Sequence, residues 1–161
     1  AVADDDDYHG PGRISAQAKC CTDHGGPVFL ASQVAYSWDT DVAFIRMTPP
    51  YPILGTILHE AGPQRYPSMR RHEDAHFAEL WSRPRWAVLD ADPRLYVRFS
   101  HQANTSGHLH TMREAAEYRP GTWAIPESWC PWLEEVLAAY PHPTPAPPAG
   151  TGPVSGTAPS Q

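Results

Sequence analysis

The alternation of apolar and polar positions predicts two β-hairpins and one further strand. Residues 27–38 and 42–48 are rich in β-branched and aromatic side chains and flank the turn Asp39-Thr40-Asp41. Residues 86–89 and 95–100 enclose a second polar turn. Residues 53–59 follow a proline-rich stretch that would halt any ladder, and their apolar run predicts a short buried strand.

A helical period governs the central and C-terminal parts of the chain. Residues 67–82 begin with a proline suited to a first helical turn, and carry apolar side chains at helical spacing. Residues 111–118 open with a Thr-x-x-Glu capping box, and residues 127–140 present an apolar stripe. We therefore expect an α+β fold, in which two β-hairpins form a small antiparallel sheet with one central helix and one or two C-terminal helices.

Composition divides the chain into three parts. Residues 1–7 form an acidic N-terminal extension, residues 8–140 a single α+β domain, and residues 141–161 a Pro/Gly-rich tail. The tail has too few apolar side chains to offset the entropy lost on ordering, so it is expected to be extended or disordered. Its prolines solubilise the chain or dock onto a protein partner.

Charge and cysteine content narrow the classes of function. The formal net charge of −6 argues against nucleic acid as a partner, because binding of nucleic acid requires a basic surface. No run approaches the roughly 18 apolar residues of a membrane helix, so no membrane partner is expected. Three cysteines, two of them adjacent, disfavour a disulfide framework and favour a cytoplasmic protein. A bridge from Cys130 to Cys20 or Cys21 stays open for a secreted one.

One motif carries recognisable chemistry, the HExxH sequence His72-Glu73-Asp74-Ala75-His76. Residues four apart share a helix face, so both imidazoles can bind one zinc ion while Glu73 reaches a metal-bound water. The motif resembles that of the zincin metallopeptidases. This resemblance implies a small zinc-dependent hydrolase of unknown substrate, with Glu73 as the catalytic base.

The helix and the remaining zinc ligand can be specified further. At about 100° per residue, His72, Glu73 and His76 lie on the apolar face with Phe77 and Leu80, and Ala78 faces water. Asp74, and Arg71 just before the motif, depart from the zincin pattern. The preferred third ligand is His108 or His110; the further candidates are His101, Glu114 and Glu117. The site requires both imidazoles to converge on the metal, with neither pointing to solvent.

Other groups have more than one interpretation. Cys20 and Cys21, with His24 before a Gly-Gly turn, are half of a structural zinc site completed by Cys130, a Cys/His nucleophile pair, or thiols beside a turn. His59 and Glu60 mark a strand end followed by a turn, and the arginines at positions 65, 70 and 71 a solvated face. The alternative function is a non-catalytic binding or assembly protein whose body and Pro-rich tail dock onto larger partners.

Overall fold

Two mixed β-sheets and three α-helices make up the described part of the chain, residues 7–48, 52–65, 68, 73–81, 85–101 and 122–140 of a computed structural model. For Glu73, Asp74 and Thr122 the backbone alone is described. The helices are α1 (Arg13–His24), α2 (Glu73–Glu79) and α3 (Cys130–Ala139). The strands are β1 (Tyr8–His9), β2 (Val28–Leu30), β3 (Ser32–Ser37), β4 (Val42–Met47), β5 (Ile53–Leu58), β6 (Ala87–Leu89), β7 (Tyr96–Ser100) and β8 (Thr122–Ala124).

The larger sheet has the strand order β1-β7-β3-β4-β8 and the smaller one β5-β2-β6. The β3–β7 and β2–β6 pairs are parallel, and the other pairs are antiparallel. The α+β class is thus confirmed, whereas the expected small antiparallel sheet is wrong. The cause lies in two strand runs of the sequence, each of which divides between the two sheets.

The first predicted hairpin is present. β3 and β4 pair from Ser32 opposite Met47 to Ser37 opposite Val42. Their turn places Asp41 in the left-handed region at φ 53°, and its carboxylate accepts a 2.6 Å hydrogen bond from the Tyr36 hydroxyl. The run 27–38 is nevertheless interrupted at Ala31, which links β2 in one sheet to β3 in the other.

The second predicted hairpin is wrong. β6 pairs with β2, and β7 pairs with β3 and β1, so the two expected partners lie in different sheets. Between them Asp92 caps a 3₁₀ turn, Pro93–Leu95, by accepting a 2.9 Å hydrogen bond from the Arg94 amide. This turn carries the chain from one sheet to the other and does not fold it back on itself.

Helix α1 has no counterpart among the elements predicted from the sequence. Its buried positions are Arg13, Gln17 and Cys21, spaced four residues apart on one face. Two of these three side chains are polar or charged, so the helix lacks the apolar stripe that hydrophobic periodicity detects. It was missed because its packing depends on hydrogen bonds to buried side chains.

The cores lie on both sides of the smaller sheet and on one face of the larger one. Val28 packs toward Cys21 of α1, and Phe29 packs toward Phe77 of α2. The larger sheet buries Val34, Val97 and neighbouring side chains against α3. Residues 127–129 form a 3₁₀ turn before α3, so the C-terminal helix predicted over 127–140 is confirmed.

Part of the predicted organisation lies outside the described residues. This applies to the capping-box helix over 111–118 and to the tail 141–161, and also to most of the acidic extension, of which Asp7 alone is described. Among the described helices, none is long and apolar enough to cross a membrane.

Candidate functional site

Helix α2 presents its motif differently from the expectation. Its buried side chains are Phe77 and Ala78, whereas Leu80 just after it is 53 % exposed. The prediction that Leu80 packs inward and Ala78 faces water is therefore wrong. A face centred on Phe77 and Ala78 leaves position 76 at its edge, about 100° from residue 77 around the helix.

The described histidine of the motif faces solvent. The His76 side chain is 52 % exposed, and its Nδ1 lies 3.4 Å from Oε2 of Glu79 one turn on. The expectation that His76 lies on the packing face is thus wrong. His72 and the Glu73 side chain lie outside the described part of the structure, as do His108, His110, Glu114 and Glu117.

The remaining ligand candidates do not assemble within the described ranges. His101, which follows β7, is buried. No group of three or more His, Cys, Asp or Glu side chains that could hold a metal occurs among the described residues. The zinc site stays a prediction: the exposed His76 side chain does not meet the requirement that neither imidazole point to solvent, and the other predicted ligands lie outside the described residues.

The cysteine motif is a set of free thiols. Cys21 is 3 % exposed, and its Sγ donates a 3.1 Å hydrogen bond to the Gly26 carbonyl. Burial first, and the negative charge of Glu60 next, raise the pKa of Cys21 above its ordinary value. A raised pKa keeps the thiol protonated, which is the opposite of what a nucleophile needs. Cys130 is exposed at the start of α3, and all three thiols are free.

The Gly25-Gly26 turn and the turn at His59 and Glu60 meet at one pocket. A cavity of about 160 Å³ is lined by residues 25–27 after α1, residues 59–62 with Gln64 after β5, and Trp81 after α2. The register of the smaller sheet explains the meeting, because Val28 at the start of β2 stands opposite Leu58 at the end of β5. The turn before one strand and the turn after the other must therefore be neighbours.

Glycine is required on the first wall of the pocket. Gly25 adopts a left-handed conformation at φ 71° and ends α1 by donating a 2.8 Å hydrogen bond to the Cys21 carbonyl. A Cβ on Gly26 would overlap the carbonyl oxygen of Arg85, so only glycine lets the two backbones approach so closely. His24 adds a 3.1 Å contact from Nε2 to the same carbonyl.

The rings of His59 and Trp81, which line the pocket, pack with Phe77. The His59 ring lies 5.1 Å from Phe77 and 5.0 Å from Trp81, centroid to centroid, and those two rings are 4.9 Å apart. His59 Nδ1 lies 2.6 Å from the Glu60 carbonyl, a contact in which Nδ1 carries the proton. The ring is thereby held in one orientation at the pocket edge.

The electrostatic character of the pocket comes from Glu60. This residue is exposed, lines the pocket, and has no ion-pair partner among the described residues. The neighbouring Arg65 donates hydrogen bonds to the carbonyls of Gly62 and Gln64 at 2.6 and 2.8 Å. Its guanidinium therefore binds the backbone of the loop that carries it. The pocket thus combines a glutamate that has no ion-pair partner in the described ranges with a tryptophan.

The two turns that line this pocket could be predicted from the sequence, but their contact with each other could not. The interpretation of His59 and Glu60 as a strand end followed by a turn is confirmed, since β5 ends at Leu58. Nothing in the local pattern indicated that this turn lies beside the Gly25-Gly26 turn.

Comparison with known proteins adds no relative, because no family model, curated protein or solved structure matches the chain.

Proposed function

We propose that this chain is a non-catalytic binding protein whose pocket receives a cationic side chain of a protein partner. The observation that carries the proposal is Glu60, which lines the pocket with Trp81 and whose carboxylate has no ion-pair partner among the described residues. A guanidinium or ammonium group gains both from a carboxylate and from the face of an indole ring.

The size of the pocket selects the kind of ligand. Its volume of about 160 Å³ is below the roughly 300–1,000 Å³ of sites that enclose a whole small molecule. It therefore accommodates the end of one side chain and not an entire metabolite. The net charge of −6 favours approach of a basic partner at low ionic strength.

Contacts within the protein hold the walls of the pocket in place before a cation binds. The Trp81 carbonyl accepts a 3.2 Å hydrogen bond from Nε1 of Trp86, which ties the end of α2 to the segment before β6. Together with the ring contacts of His59, this leaves the pocket largely formed before a ligand arrives. A preformed pocket loses little conformational freedom on binding.

The proposal is tested by NMR titration with two peptide-like probes, acetyl-arginine amide and its uncharged isostere acetyl-citrulline amide. We expect the arginine probe to shift the amide resonances of residues 25–27 and 59–62, and the citrulline probe to shift them far less. The Glu60→Gln variant should lose the arginine response. Glu135→Gln changes an exposed carboxylate on α3 and should retain it.

Equal responses to the two probes, or an unchanged response in Glu60→Gln, would contradict the proposal. A response confined to other parts of the chain would also contradict it, since the pocket would then not be the binding site. The Pro-rich segment 141–161 belongs to the same proposal as a second point of contact with a partner.

A zinc-dependent hydrolase is the second candidate; one contact favours it, and the 52 % exposure of the His76 side chain counts against it. A metal-binding histidine commonly directs its other ring nitrogen to a carboxylate, as His76 Nδ1 does toward Glu79. In this candidate, zinc would be held by His72 and His76 with His108 or His110. The ion would supply Lewis-acid activation of water, and Glu73 would accept a proton from that water.

Metal analysis decides this second candidate. If this candidate is correct, the purified wild-type chain should hold zinc in a one-to-one ratio, which His76→Ala should lose and His24→Ala should keep. His24 is an exposed histidine outside the motif, so it controls for loss of an imidazole alone. A wild-type chain that binds no zinc after dialysis against the metal, or a His76→Ala chain that still binds it, would rule out the site.

A further inference from the structure

His59 lines the pocket next to Glu60 and has one ring nitrogen that no neighbour uses. The residue is half-buried, and its Nδ1 donates a 2.6 Å hydrogen bond to the Glu60 carbonyl. A neutral imidazole with its proton on Nδ1 carries a lone pair on Nε2, where it accepts a hydrogen bond. Nε2 has no hydrogen-bond partner among the described residues, so a ligand in the pocket can donate to it.

Most backbone acceptors around the pocket are already bonded to the protein itself. Six of its nine lining residues have a carbonyl oxygen that accepts a hydrogen bond from another part of the chain, namely Gly26, Pro27, Glu60, Gly62, Gln64 and Trp81. The side chains that line the pocket add the carboxylate of Glu60, the amide oxygen of Gln64 and Nε2 of His59. The N–H groups of an entering cation are therefore directed mainly to side chains.

The contacts of the His59 ring are the same in its neutral and its protonated form. The ring packs on Phe77 and Trp81, with centroids 5.1 and 5.0 Å away. Nδ1 carries a proton in both forms, so both donate to the Glu60 carbonyl. Protonation therefore acts at Nε2, where it replaces an acceptor with a donor and adds a positive charge.

We propose that the pocket selects a cation that has N–H donors, with neutral His59 accepting one of them at Nε2 and Glu60 binding the charge. This inference rests on the proposed function and narrows its ligand to a guanidinium or an unmethylated ammonium group. A quaternary ammonium has no N–H to donate to Nε2. Protonated His59 repels the ligand, so the cation is bound at neutral pH and released on acidification.

The other groups around His59 do not reproduce this pH response. They are Glu60 and Arg65 in its own loop, Cys21 and His24 on α1, and Phe77 and Trp81 from α2, which do not titrate. Carboxylates and guanidinium groups normally keep their charge between about pH 5.5 and about pH 7.5. The raised pKa of the Cys21 thiol keeps it neutral there. His24 is the other imidazole of this set, and it does not line the pocket.

Three peptide-like probes test the selection at about pH 7.5. Nα-acetyl-arginine amide, Nα-acetyl-lysine amide and Nα-acetyl-Nε-trimethyl-lysine amide carry the same charge, but the cationic group of the third has no N–H. We expect the arginine or the lysine probe to bind at least threefold more tightly than the trimethyl-lysine probe in calorimetric titration, the effect of one hydrogen bond. Binding of the arginine probe should also weaken at least fivefold from about pH 7.5 to about pH 5.5.

Two variants separate the roles of the ring. His59→Gln keeps an acceptor but does not titrate, so it should still prefer the arginine probe to the trimethyl-lysine probe, with nearly equal affinities at the two pH values. His59→Phe keeps a ring against Phe77 and Trp81 without an acceptor, so it should lose both the preference and the pH response. His24→Gln is the matched control and should retain both, because His24 does not line the pocket.

Two results would overturn the inference while leaving the proposed function intact. One is a trimethyl-lysine probe that binds the wild type as tightly as the other two probes. The other is a pH response that persists in His59→Gln or disappears in His24→Gln. Failure of all three probes to bind would contradict the proposed function as well. Both wild-type measurements remain decisive if a His59 variant fails to fold, which the NMR spectrum of the unliganded chain reports.

Discussion

At the residue scale, the Tyr36 hydroxyl shows how a turn and a core side chain support each other. Tyr36 is buried against Trp38 and Phe99, with ring centroids 4.8 and 6.2 Å away. Its hydroxyl donates a 2.6 Å hydrogen bond to Asp41, the residue held at positive φ in the β3–β4 turn. The bond thus ties the turn to the core of the larger sheet.

This contact predicts a pH-dependent stability. Burial first, and then the hydrogen bond to Asp41 and its charge, raise the pKa of Tyr36 from 10.0 to about 12. A raised pKa favours the neutral phenol in the folded state, so its contribution is full below about pH 10 and is lost as the pH rises to about 12. The decline belongs to the alkaline range alone.

The substitution Tyr36→Phe tests this. It should lower the free energy of unfolding by about 1 kcal/mol at neutral pH, the usual contribution of one hydrogen bond. In urea unfolding, the variant should also lose less stability than the wild type between about pH 10 and about pH 12. Asp41→Asn is the matched control, because asparagine tolerates positive φ and still accepts the hydrogen bond. Parallel alkaline declines in wild type and Tyr36→Phe would refute the assignment.

At the element scale, Gln17 attaches helix α1 to the smaller sheet. Its Nε2 donates to the carbonyls of Val28 at 3.1 Å and Thr56 at 2.7 Å, and its Oε1 accepts from Nε of Arg13 at 3.0 Å. Gln17 is fully buried, so this one side chain satisfies buried groups on three elements. Arg13 in turn contacts Nδ1 of His9 and the face of the Tyr96 ring.

Replacing Gln17 with alanine should lower the free energy of unfolding by about 3 kcal/mol, because it removes three buried hydrogen bonds. Chemical denaturation monitored by circular dichroism measures the change. Ser15→Ala, at an exposed position of the same helix, should stay within about 0.5 kcal/mol of wild type. A similar small loss for Gln17→Ala would mean that α1 is held in some other way.

Hydrophobic periodicity predicts helices and strands whose buried side chains are apolar, and α1 is not such a helix. Periodicity correctly predicted α3 and the β3–β4 hairpin, because their buried positions are apolar at the expected spacing. It missed α1, whose buried stripe contains Arg13 and Gln17, and it misplaced the packing face of α2. The 86–100 hairpin failed because strand partners are chosen across the fold and not along the chain.

The candidate pocket could also be predicted only in part from the sequence. His59, Glu60 and the Gly25-Gly26 turn could each be recognised as turn residues, but their meeting depends on the pairing of β2 with β5. The pairing of strands that are distant along the chain cannot be predicted from a local stretch of sequence.

At the scale of the whole molecule, the chain passes between the two sheets four times, and each sheet packs against its own apolar clusters. Tyr140 after α3 packs on Tyr8 and Phe99, with ring centroids 5.8 and 5.5 Å away, so it belongs to the core of the larger sheet. Because the segment beyond has few apolar side chains, it should add little to the stability of the domain.

Deletion of residues 141–161 checks this expectation. The truncated chain should unfold within about 2 °C of the full chain in scanning calorimetry, since removing polar and proline residues exposes no core. Deletion from residue 137 onward removes Leu137 and Tyr140, which pack against the core of the larger sheet, and should lower the transition markedly. A large loss of stability on deleting 141–161 alone would show that these residues pack on the domain.

The central claim is that Glu60 and Trp81, which line one pocket, make this chain a receptor for cationic side chains. Calorimetric titration of the full chain with acetyl-arginine amide, at low and at raised salt, tests it most directly. The account predicts binding that weakens with salt and falls at least tenfold in Glu60→Gln, with Glu135→Gln unchanged. Binding that is absent in the wild type, or that survives in Glu60→Gln, would contradict it.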